Sequence, residues 1–418
     1  MRLRDAFKRC ALAAVAVGGL YGAVMVFRWW SERDLAERCR AATASGRWAE
    51  LAETAARWHR LNPQSVEPIL YLADAAERRD APSSAVEYLG QVPLDDPRAA
   101  AASERRMKLL FEPLNKPRAA ARECERLLEI DPANTLARQR LVFFLAMTFQ
   151  RVELIRRIRD GIAHGSFDQQ DCVYLFFASE LRFSNGPQVC GLWSRSEPDA
   201  ELFVVARALH FSVGLEGGIP SDRPEVVERL RAEIRRRDAT LAQLLERFPH
   251  NMEVLAHHLQ QAAVTGDVER MSALLSQAPE SAELDFRFWR FKGWLHSLQD
   301  ELEAADRAFD AALTRHPIDW TTRHQQASVW RRLARAGQPS LKDNVEQQQK
   351  LADQGRDLYR RLMVVKDVGA VDGPLLREMS EYAAGCGDVS FARALAHVAS
   401  SGERDSLRRE EPHSDRHP

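Results

Sequence analysis

The stretch FWRFKGWLHSLQDELEAADRAFDAALTRHP, from Phe288 to Pro317, decides the fold of this chain. Trp289 and Gly293 are four residues apart, so in a helix they share one face. A second apolar pattern that includes Phe309 follows a polar turn, and Pro317 stops it because proline cannot continue a helix. A small residue at Gly293 lets the second helix approach closely, and the large ring of Phe309 fills the remaining space. The stretch therefore predicts a pair of tightly packed helices.

The spacing of these packing residues resembles the tetratricopeptide repeat family, whose unit of about 34 residues reads W-x2-L-G-x2-Y…A-x3-F…P. The residues in register are Trp289, Gly293, Ala305, Phe309 and Pro317. Lys292 and His296 stand where the family pattern has Leu and Tyr. The resemblance implies a right-handed α-solenoid of stacked helix pairs, with a concave groove lined by the first helix of each pair.

The same register recurs along the chain. The turns of the recognisable copies lie at Gly46, Asp80, Asn115, Gly266 and Gly387. A weaker fourth copy has Leu154 and Ile158 in its second helix and lacks the proline. Ala, Leu, Arg and Glu dominate the composition, and long alternating runs of Val or Ile are missing. We therefore expect an all-α chain, with a right-handed helical solenoid from Glu32 to Ser400 and no sheet.

Irregular stretches divide the expected repeats. DQQDCVYLFFASELRF, from Asp168 to Phe183, is typical of a first helix, and the glycine- and proline-rich VGLEGGIPSDRP, from Val213 to Pro224, marks a break between two blocks. About sixteen extra residues after Gly337 lengthen one turn and its second helix. The expected segments are a cationic leader at 1–9, a transmembrane anchor at 10–30, TPR-like block 1 at 31–165, an irregular helical segment and loop at 166–224, TPR-like block 2 at 225–400 and a disordered tail at 401–418.

The N-terminus differs from the rest of the chain. The cationic MRLRDAFKR precedes an uncharged run of eighteen residues, from Cys10 to Phe27. As a helix this run would rise about 27 Å, close to the hydrocarbon thickness of about 30 Å. Trp29 and Trp30 then stand where an interfacial aromatic belt lies. A cleaved signal peptide and a buried core helix are the alternatives, but the bulky VMVFRWW does not suit a cleavage site. We expect an uncleaved single-pass anchor.

The numbers of cations on the two sides of this anchor are nearly equal, so they hardly favour one orientation in the membrane. The cations before the span are Arg2, Arg4, Lys8 and Arg9, and those closely after it are Arg28, Arg33, Arg38 and Arg40. The leader carries a single acid, Asp5, and moving its net positive charge outward against the membrane potential is costly. We therefore expect the N-terminus in the cytoplasm and the repeat domain outside it.

The aromatic stretch FRFWRFKGW, starting at Phe286, splits over the repeat. Phe286, Trp289 and Gly293 are expected to point into the helix pair, and Phe288 and Leu295 toward the neighbouring repeat. The resemblance places the remaining residues on the groove, where the following first helix adds two more. The candidate protein-binding groove consists of Arg287, Arg290, Trp294, His324 and Arg331.

Arginine and tryptophan on a concave face favour an acidic or C-terminal peptide segment as partner. The alternative is a set of solvated arginines without a partner. The Lys/Asn clamp with which some family members hold chaperone tails is absent, because Ala36 and Arg40 stand at those positions.

Several functional classes are disfavoured. The net charge of −1 argues against a strongly cationic nucleic-acid binder. Phosphate-binding, dinucleotide, nucleophile-elbow and zinc-protease motifs are missing, so we expect no enzyme, no catalytic residue, no cofactor and no small-molecule substrate. His250, His257 and His258 have no acid or cysteine placed to complete a metal site. Five cysteines follow the anchor without a CxxC motif, so we expect buried free thiols.

Three functions remain open. The first is a membrane-anchored helical-repeat scaffold for protein–protein interactions in an envelope or membrane-associated assembly, because an anchor is joined to a repeat array without catalytic motifs. The second is an accessory subunit permanently bound to one membrane protein complex. The third is an enzyme or glycan-binding protein built on helical repeats, which would need a pocket of convergent acids that the sequence does not indicate.

Overall fold

A computed structural model describes residues 22, 25–210, 224–365 and 368–410. Within these ranges the regular elements are all helices, and no strand occurs. The expected all-α class is confirmed for the part of the chain that the structure describes. The helices form two compact units, divided after Pro132. The sequence had placed the break between its two blocks later, within 166–224.

Unit 1 contains the helix pairs of the first three predicted repeats. Its helices are α1 (25–44), α2 (Trp48–Leu61), α3 (Glu67–Arg78), α4 (Pro82–Leu89), α5 (Ala99–Phe111) and α6 (Pro117–Ile130). Leu51, Ala55 and Trp58 recur at helical spacing on α2 and are buried against Leu72 of α3. The apolar stripe of each helix is thus covered by its neighbours.

Unit 2 holds the remaining described helices. They are α7 (Thr135–Met147), α8 (Arg151–Ala163), α9 (Gln169–Phe176), α10 (Gly186–Trp193), α11 (Glu201–His210), α12 (Pro224–Arg247), α13 (Met252–Thr265), α14 (Val268–Ser276), α15 (Phe286–Leu298), α16 (Leu302–Arg315), α17 (Trp320–Arg335), α18 (Lys342–Met363), α19 (Gly373–Gly385) and α20 (Val389–Glu410). Short 3₁₀ helices lie at Glu280–Leu284, Pro339–Leu341 and Val368–Ala370.

The turn within each repeat carries a residue with left-handed backbone conformation. These residues are Gly46, Asp80, Asn115, Phe149, Gly266, Asp300, Gly337 and Gly387. At Gly266 the next amide, of Asp267, donates to the carbonyl of Ala262 at 2.9 Å, which closes the helix end as in a Schellman motif. The first four positions follow one another at 34 or 35 residues. The turn spacing read from the sequence is therefore confirmed.

The packing expected around Gly293 is also confirmed. A Cβ atom at this position would lie 2.6 Å from Cε1 of Phe309, so the two helices meet with no room for a side chain. Phe288 and Phe291 are each 1% exposed. Trp289 differs from the expectation, because it is only half-buried. Its ring lies at the edge of the helix pair, between the cations of Lys292 and Arg315.

Two stretches depart from the expected helix lengths. The insertion after Gly337 forms the short helix Pro339–Leu341 and a long α18, which agrees with the sequence analysis. The expected helix from Asp168 to Phe183 is shorter, since α9 ends at Phe176 and residues 177–183 are non-helical. At the other end of the chain, α20 continues past Ser400 to Glu410, so part of the expected disordered tail is helical.

The leader and most of the expected membrane anchor lie outside the described residues. Of the helices that the structure describes, none combines the length and apolarity needed to cross a membrane. The described chain begins with α1, whose first turns expose Phe27, Trp29 and Trp30. Arg28, between them, donates from Nη2 to the carbonyl of Leu61 at 3.1 Å.

His210 is held in its neutral form by the hydrogen bonds of both ring nitrogens. Nε2 lies 2.9 Å from the carbonyl oxygen of Met147, which can only accept, so Nε2 carries the proton. The N–H of Phe183 donates to Nδ1 at 3.2 Å, which leaves that nitrogen no room for a second proton. Burial, as the largest cause, lowers the pKa of His210 to about 4.

We expect the free energy of unfolding to fall as the pH drops from about 6.5 to about 4, by about 2–3 kcal/mol for His210 alone. The folded pKa lies below the unfolded value of about 6.5, so in this window the unfolded chain binds the extra proton. Urea unfolding of the full chain should show a weaker pH dependence for His210→Gln than for the wild type. Buried Asp171, with a pKa raised to about 7, acts in the opposite direction in both proteins. Parallel curves would contradict the assignment.

Candidate protein-binding cavity

Unit 2 closes on itself, because α8 and α9 contact the last helices of the chain. Arg159 of α8 binds Asp388, at the start of α20, through two nitrogen–oxygen contacts of 3.2 and 2.7 Å. The side-chain amide of Gln169 donates to the carbonyls of Val368 and Val371 at 2.9 and 3.1 Å. In a regular solenoid each repeat touches only its neighbours. These contacts join residues about two hundred positions apart, so they are not contacts between neighbouring repeats.

Residues 177–183, the inner segment, lie inside this closed arrangement. The ring of Phe177 is 5.3 Å from that of Tyr359 in α18, and Phe176, just before the segment, is 5.9 Å from Tyr382 in α19. Ala178 is fully buried. The inner segment therefore covers part of the face that an open groove would expose to solvent.

Beside the inner segment lies a cavity of about 770 Å³, a size typical of binding sites. Its walls come from the inner segment and from α8, α11, α12, α13, α14, α15 and α17. Phe149, Leu209, Phe291 and Trp320 contribute apolar surface. The charged residues of the lining are Arg151, Glu180, Arg182, Arg237, Glu253, Arg270, Arg287 and Arg290.

Arg287 lines this cavity but is not available to a partner in the way the sequence suggested. Its side chain is 5% exposed and binds both Asp285 and Glu253. Burial alone lowers the pKa of Arg287, but the charges of these two acids outweigh burial and raise it. The interpretation of Arg287 as a solvent-facing ligand for carboxylates is wrong, because two carboxylates of the chain itself already hold it.

Arg290 is neutralised in the same way. Its Nη1 lies 3.2 and 3.0 Å from the two carboxylate oxygens of Asp319, and its side chain is 6% exposed. Asp285 and Asp319 are the N-caps of α15 and α17, where a short acidic side chain accepts the first free amides of a helix. The acid before each first helix was the sequence signal for this pairing. The expected groove was based on the cations alone.

The other three residues of the predicted groove lie away from the cavity. Trp294 is half-buried and packs on the core formed by α13, α14 and α15. His324 is exposed, and Arg331 is exposed with its Nη2 2.6 Å from Oε1 of Gln349. None of the three is among the lining residues. The structure therefore does not bring the five predicted residues together into one groove.

Glu253 and Arg151 were missed by sequence reasoning although they are central to the cavity wall. Oε2 of Glu253 lies 3.1 Å from Nε of Arg151 and 3.0 Å from Nη1 of Arg287. Arg151 also donates to the carbonyls of Ala178 and Leu181 in the inner segment. Burial lowers the pKa of Arg151 to about 10. These contacts join residues up to about a hundred positions apart in the sequence, so no local sequence pattern indicates them.

Phe149 adds a strained backbone position to the same wall. It takes the left-handed turn position with φ of 56°, where the other turns have Gly, Asp or Asn. A bulky residue there is an outlier that costs on the order of 1–3 kcal/mol. Its ring is 3% exposed, stacks 4.3 Å from that of His210, and lies 4.9 Å from the guanidinium of Arg151. The strain is offset by this packing, which fixes Arg151 at the cavity.

The cavity has a modest excess of positive charge. Six arginines and two glutamates line it. Asp238, Asp285 and Asp319, which are not lining residues, pair with three of these arginines. The six arginines thus exceed the five acids, two in the lining and three outside it, by one. Arg270 is exposed, and its guanidinium contacts the ring of His258, whose pKa is lowered mainly by burial. Among the described residues, no three His, Cys, Asp or Glu side chains form a metal-binding group.

No family model matches the chain, and no curated protein matches it either. Many solved structures show remote similarity to the chain, among them the following three. A tetratricopeptide repeat protein from Parabacteroides merdae has 12% identity and a TM-score of 0.25, covering 72% of this chain and 98% of its own. Human IFIT1 with m7Gppp-AAAA has 12% identity and a TM-score of 0.30, covering 89% of this chain and 76% of its own. The APC/C hetero-tetramer Cut9–Hcn1 has 13% identity and a TM-score of 0.29, covering 89% of this chain and 79% of its own. At such scores the likeness carries no argument about function.

Proposed function

We propose that this protein is a membrane-anchored helical-repeat scaffold that holds an acidic segment of a partner protein in the cavity of unit 2. The observation that carries the proposal is the arginine-lined cavity of about 770 Å³ in unit 2. A guanidinium group binds carboxylates in a planar, two-pronged geometry, so arginines set within a concave wall favour acidic peptides. The aromatic rings in the lining supply the apolar contact that anchors such segments.

The site of partner contact differs from the groove expected from the sequence. Arg287 and Arg290 are neutralised by the chain's own acids and form the floor of the cavity. Arg270 lies at the exposed end of the lining and has a neutral neighbour, His258. We therefore place the first contact with the partner's carboxylates at Arg270.

The anchor and its orientation are part of the same proposal. Trp29 and Trp30 are exposed on α1, directly after the apolar run of the sequence, as an interfacial belt requires. With the leader in the cytoplasm, the repeat domain lies outside it. Protease added to intact spheroplasts should then digest the repeat domain, and deletion of residues 1–30 should release it from the membrane fraction. A mature N-terminus beyond Trp30 would contradict the anchor.

A labelled glutamate-rich peptide and its glutamine counterpart test the binding proposal directly. We expect the full chain to bind the acidic peptide, with affinity falling as salt rises from about 50 to about 500 mM. Arg270→Glu should weaken binding about tenfold, which corresponds to about 1.4 kcal/mol. Arg307→Glu is the matched control, since Arg307 is exposed on α16 and does not line the cavity.

Two results would overturn the proposal. One is equal binding of the acidic and glutamine peptides. The other is an equal loss of affinity in the Arg270 and Arg307 variants, because the attraction would then belong to the overall charge of the domain.

A further inference from the structure

The inner segment, residues 177–183, is non-helical although its sequence favours a helix. FASELRF contains Ala, Glu, Leu and Arg and neither glycine nor proline, so local preference would continue α9 beyond Phe176. Residues 177–180 form turns instead, and contacts elsewhere in unit 2 must stabilise this conformation more than a continued helix would.

The backbone of the inner segment is bound by side chains of other elements. The guanidinium of Arg151 donates to the carbonyls of Ala178 and Leu181. The N–H of Phe183 donates to His210. Local turns satisfy the amides of Ala178, Glu180 and Leu181, and these side chains satisfy backbone groups that the turns leave over, as a binding site does for a bound peptide.

Two side chains of the inner segment, Phe177 and Glu180, have different surroundings in unit 2. Phe177 packs against Tyr359, next to the contact of Phe176 with Tyr382. Glu180 lines the cavity, where burial, the largest effect, raises its pKa, while the hydroxyl of Tyr359 and the charge of Arg290 act against that rise. Unit 2 therefore binds an aromatic pair, Phe176 and Phe177, and a carboxyl group three residues after the second ring.

We infer that the inner segment is an internal ligand, bound in cis on the surface beside the cavity, and that a partner segment carries the same chemistry: two adjacent aromatic residues at the end of a helix and, three residues after the second, a glutamate in the non-helical stretch that follows. The inference rests on the proposed function and specifies its partner. Glu180 contributes one of the two acidic side chains in the lining. Its displacement would leave a place in the lining for a carboxyl group of the partner. The partner then competes with the inner segment, so its apparent affinity is reduced by the fraction of molecules in which the segment is bound.

The test uses the full chain and a labelled peptide with the sequence of residues 174–184, YLFFASELRFS. Glu180→Gln, which weakens the internal copy, should bind this peptide about tenfold more tightly than the wild type, or about 1.4 kcal/mol. Phe177→Leu should act in the same direction. In the Glu180→Gln background, Tyr359→Phe should reduce the gain, because it removes the hydroxyl that binds the glutamate. A peptide with glutamine in place of its glutamate should also lose the gain.

Trp294→Ala controls for general loosening, because Trp294 packs away from the inner segment. An equal gain of affinity in this variant would overturn the inference. So would equal binding of the peptide by wild type and Glu180→Gln. If the glutamate-rich peptide binds at the Arg270 end in the same samples, only the internal-ligand inference falls. If neither peptide binds any variant, the proposed function falls with it.

Discussion

Replacing Gly293 by leucine is expected to lower the free energy of unfolding of unit 2 by about 3 kcal/mol or more. Overpacking a dense interior costs about 1–3 kcal/mol, and more when no neighbour can move. Here the first added atom would already lie 2.6 Å from Cε1 and 2.7 Å from Cδ1 of Phe309, a ring that is itself fully buried. Thermal and urea unfolding of the full chain measure the loss.

Trp294→Ala is the matched comparison for Gly293→Leu, because it changes the next residue of the same helix. Trp294 is half-buried, so its truncation should cost about 1–2 kcal/mol, less than that of a fully buried aromatic residue. Phe309→Leu combined with Gly293→Ala should recover part of the loss from Gly293→Ala alone, since a smaller side chain leaves room for the new methyl group. Equal losses for Gly293→Leu and Trp294→Ala would mean that the close approach at Gly293 does not exist.

Glu253→Ala is expected to cost about 3–5 kcal/mol, because it leaves two buried arginines without their shared carboxylate. The side chains of Arg151 and Arg287 are each 5% exposed, and Glu253 contacts both. Glu228→Ala is the control, since Glu228 pairs with Arg235 on the exposed surface of α12, where removal of one partner should change the stability little.

A second variant separates the loss of a contact from the burial of an unpaired charge. Glu253→Leu combined with Arg151→Met removes charge from both partners and should be more stable than Glu253→Leu alone. If the double variant is as unstable as the sum of the two single changes, the network described here does not couple these residues.

The repeats themselves were predictable because their determinants are local. A small residue at Gly293 and a large one at Phe309 lie sixteen residues apart, and the structure packs them against each other. The turns recur because a left-handed residue must close each first helix, and Gly, Asp or Asn usually stands there. Local spacing of this kind can be read from one sequence.

The cavity could not be predicted in the same way because it depends on contacts that the repeat rule excludes. A regular solenoid leaves the first-helix face open, and on that assumption Arg287 and Arg290 would face solvent. The N-cap acids of their own helices, with Glu253 for Arg287, pair with them instead. The break in α9 likewise follows from contacts with distant helices and not from its own residues. Sequence periodicity carries no information on either.

The distance between α8 and α20 reports directly on the closure of unit 2, which turns the expected open groove into a cavity that holds the inner segment. Spin labels on cysteines introduced at the exposed Ala163 and Ala396 report it, and the five cysteines of the described ranges are buried and should remain unlabelled. We expect one short distance with a narrow distribution, as the Arg159–Asp388 contact requires. With helices stacked about 8–10 Å apart, an open array would separate the labels by on the order of 40 Å or more. That longer distance would contradict the closed cavity and the binding mode built on it.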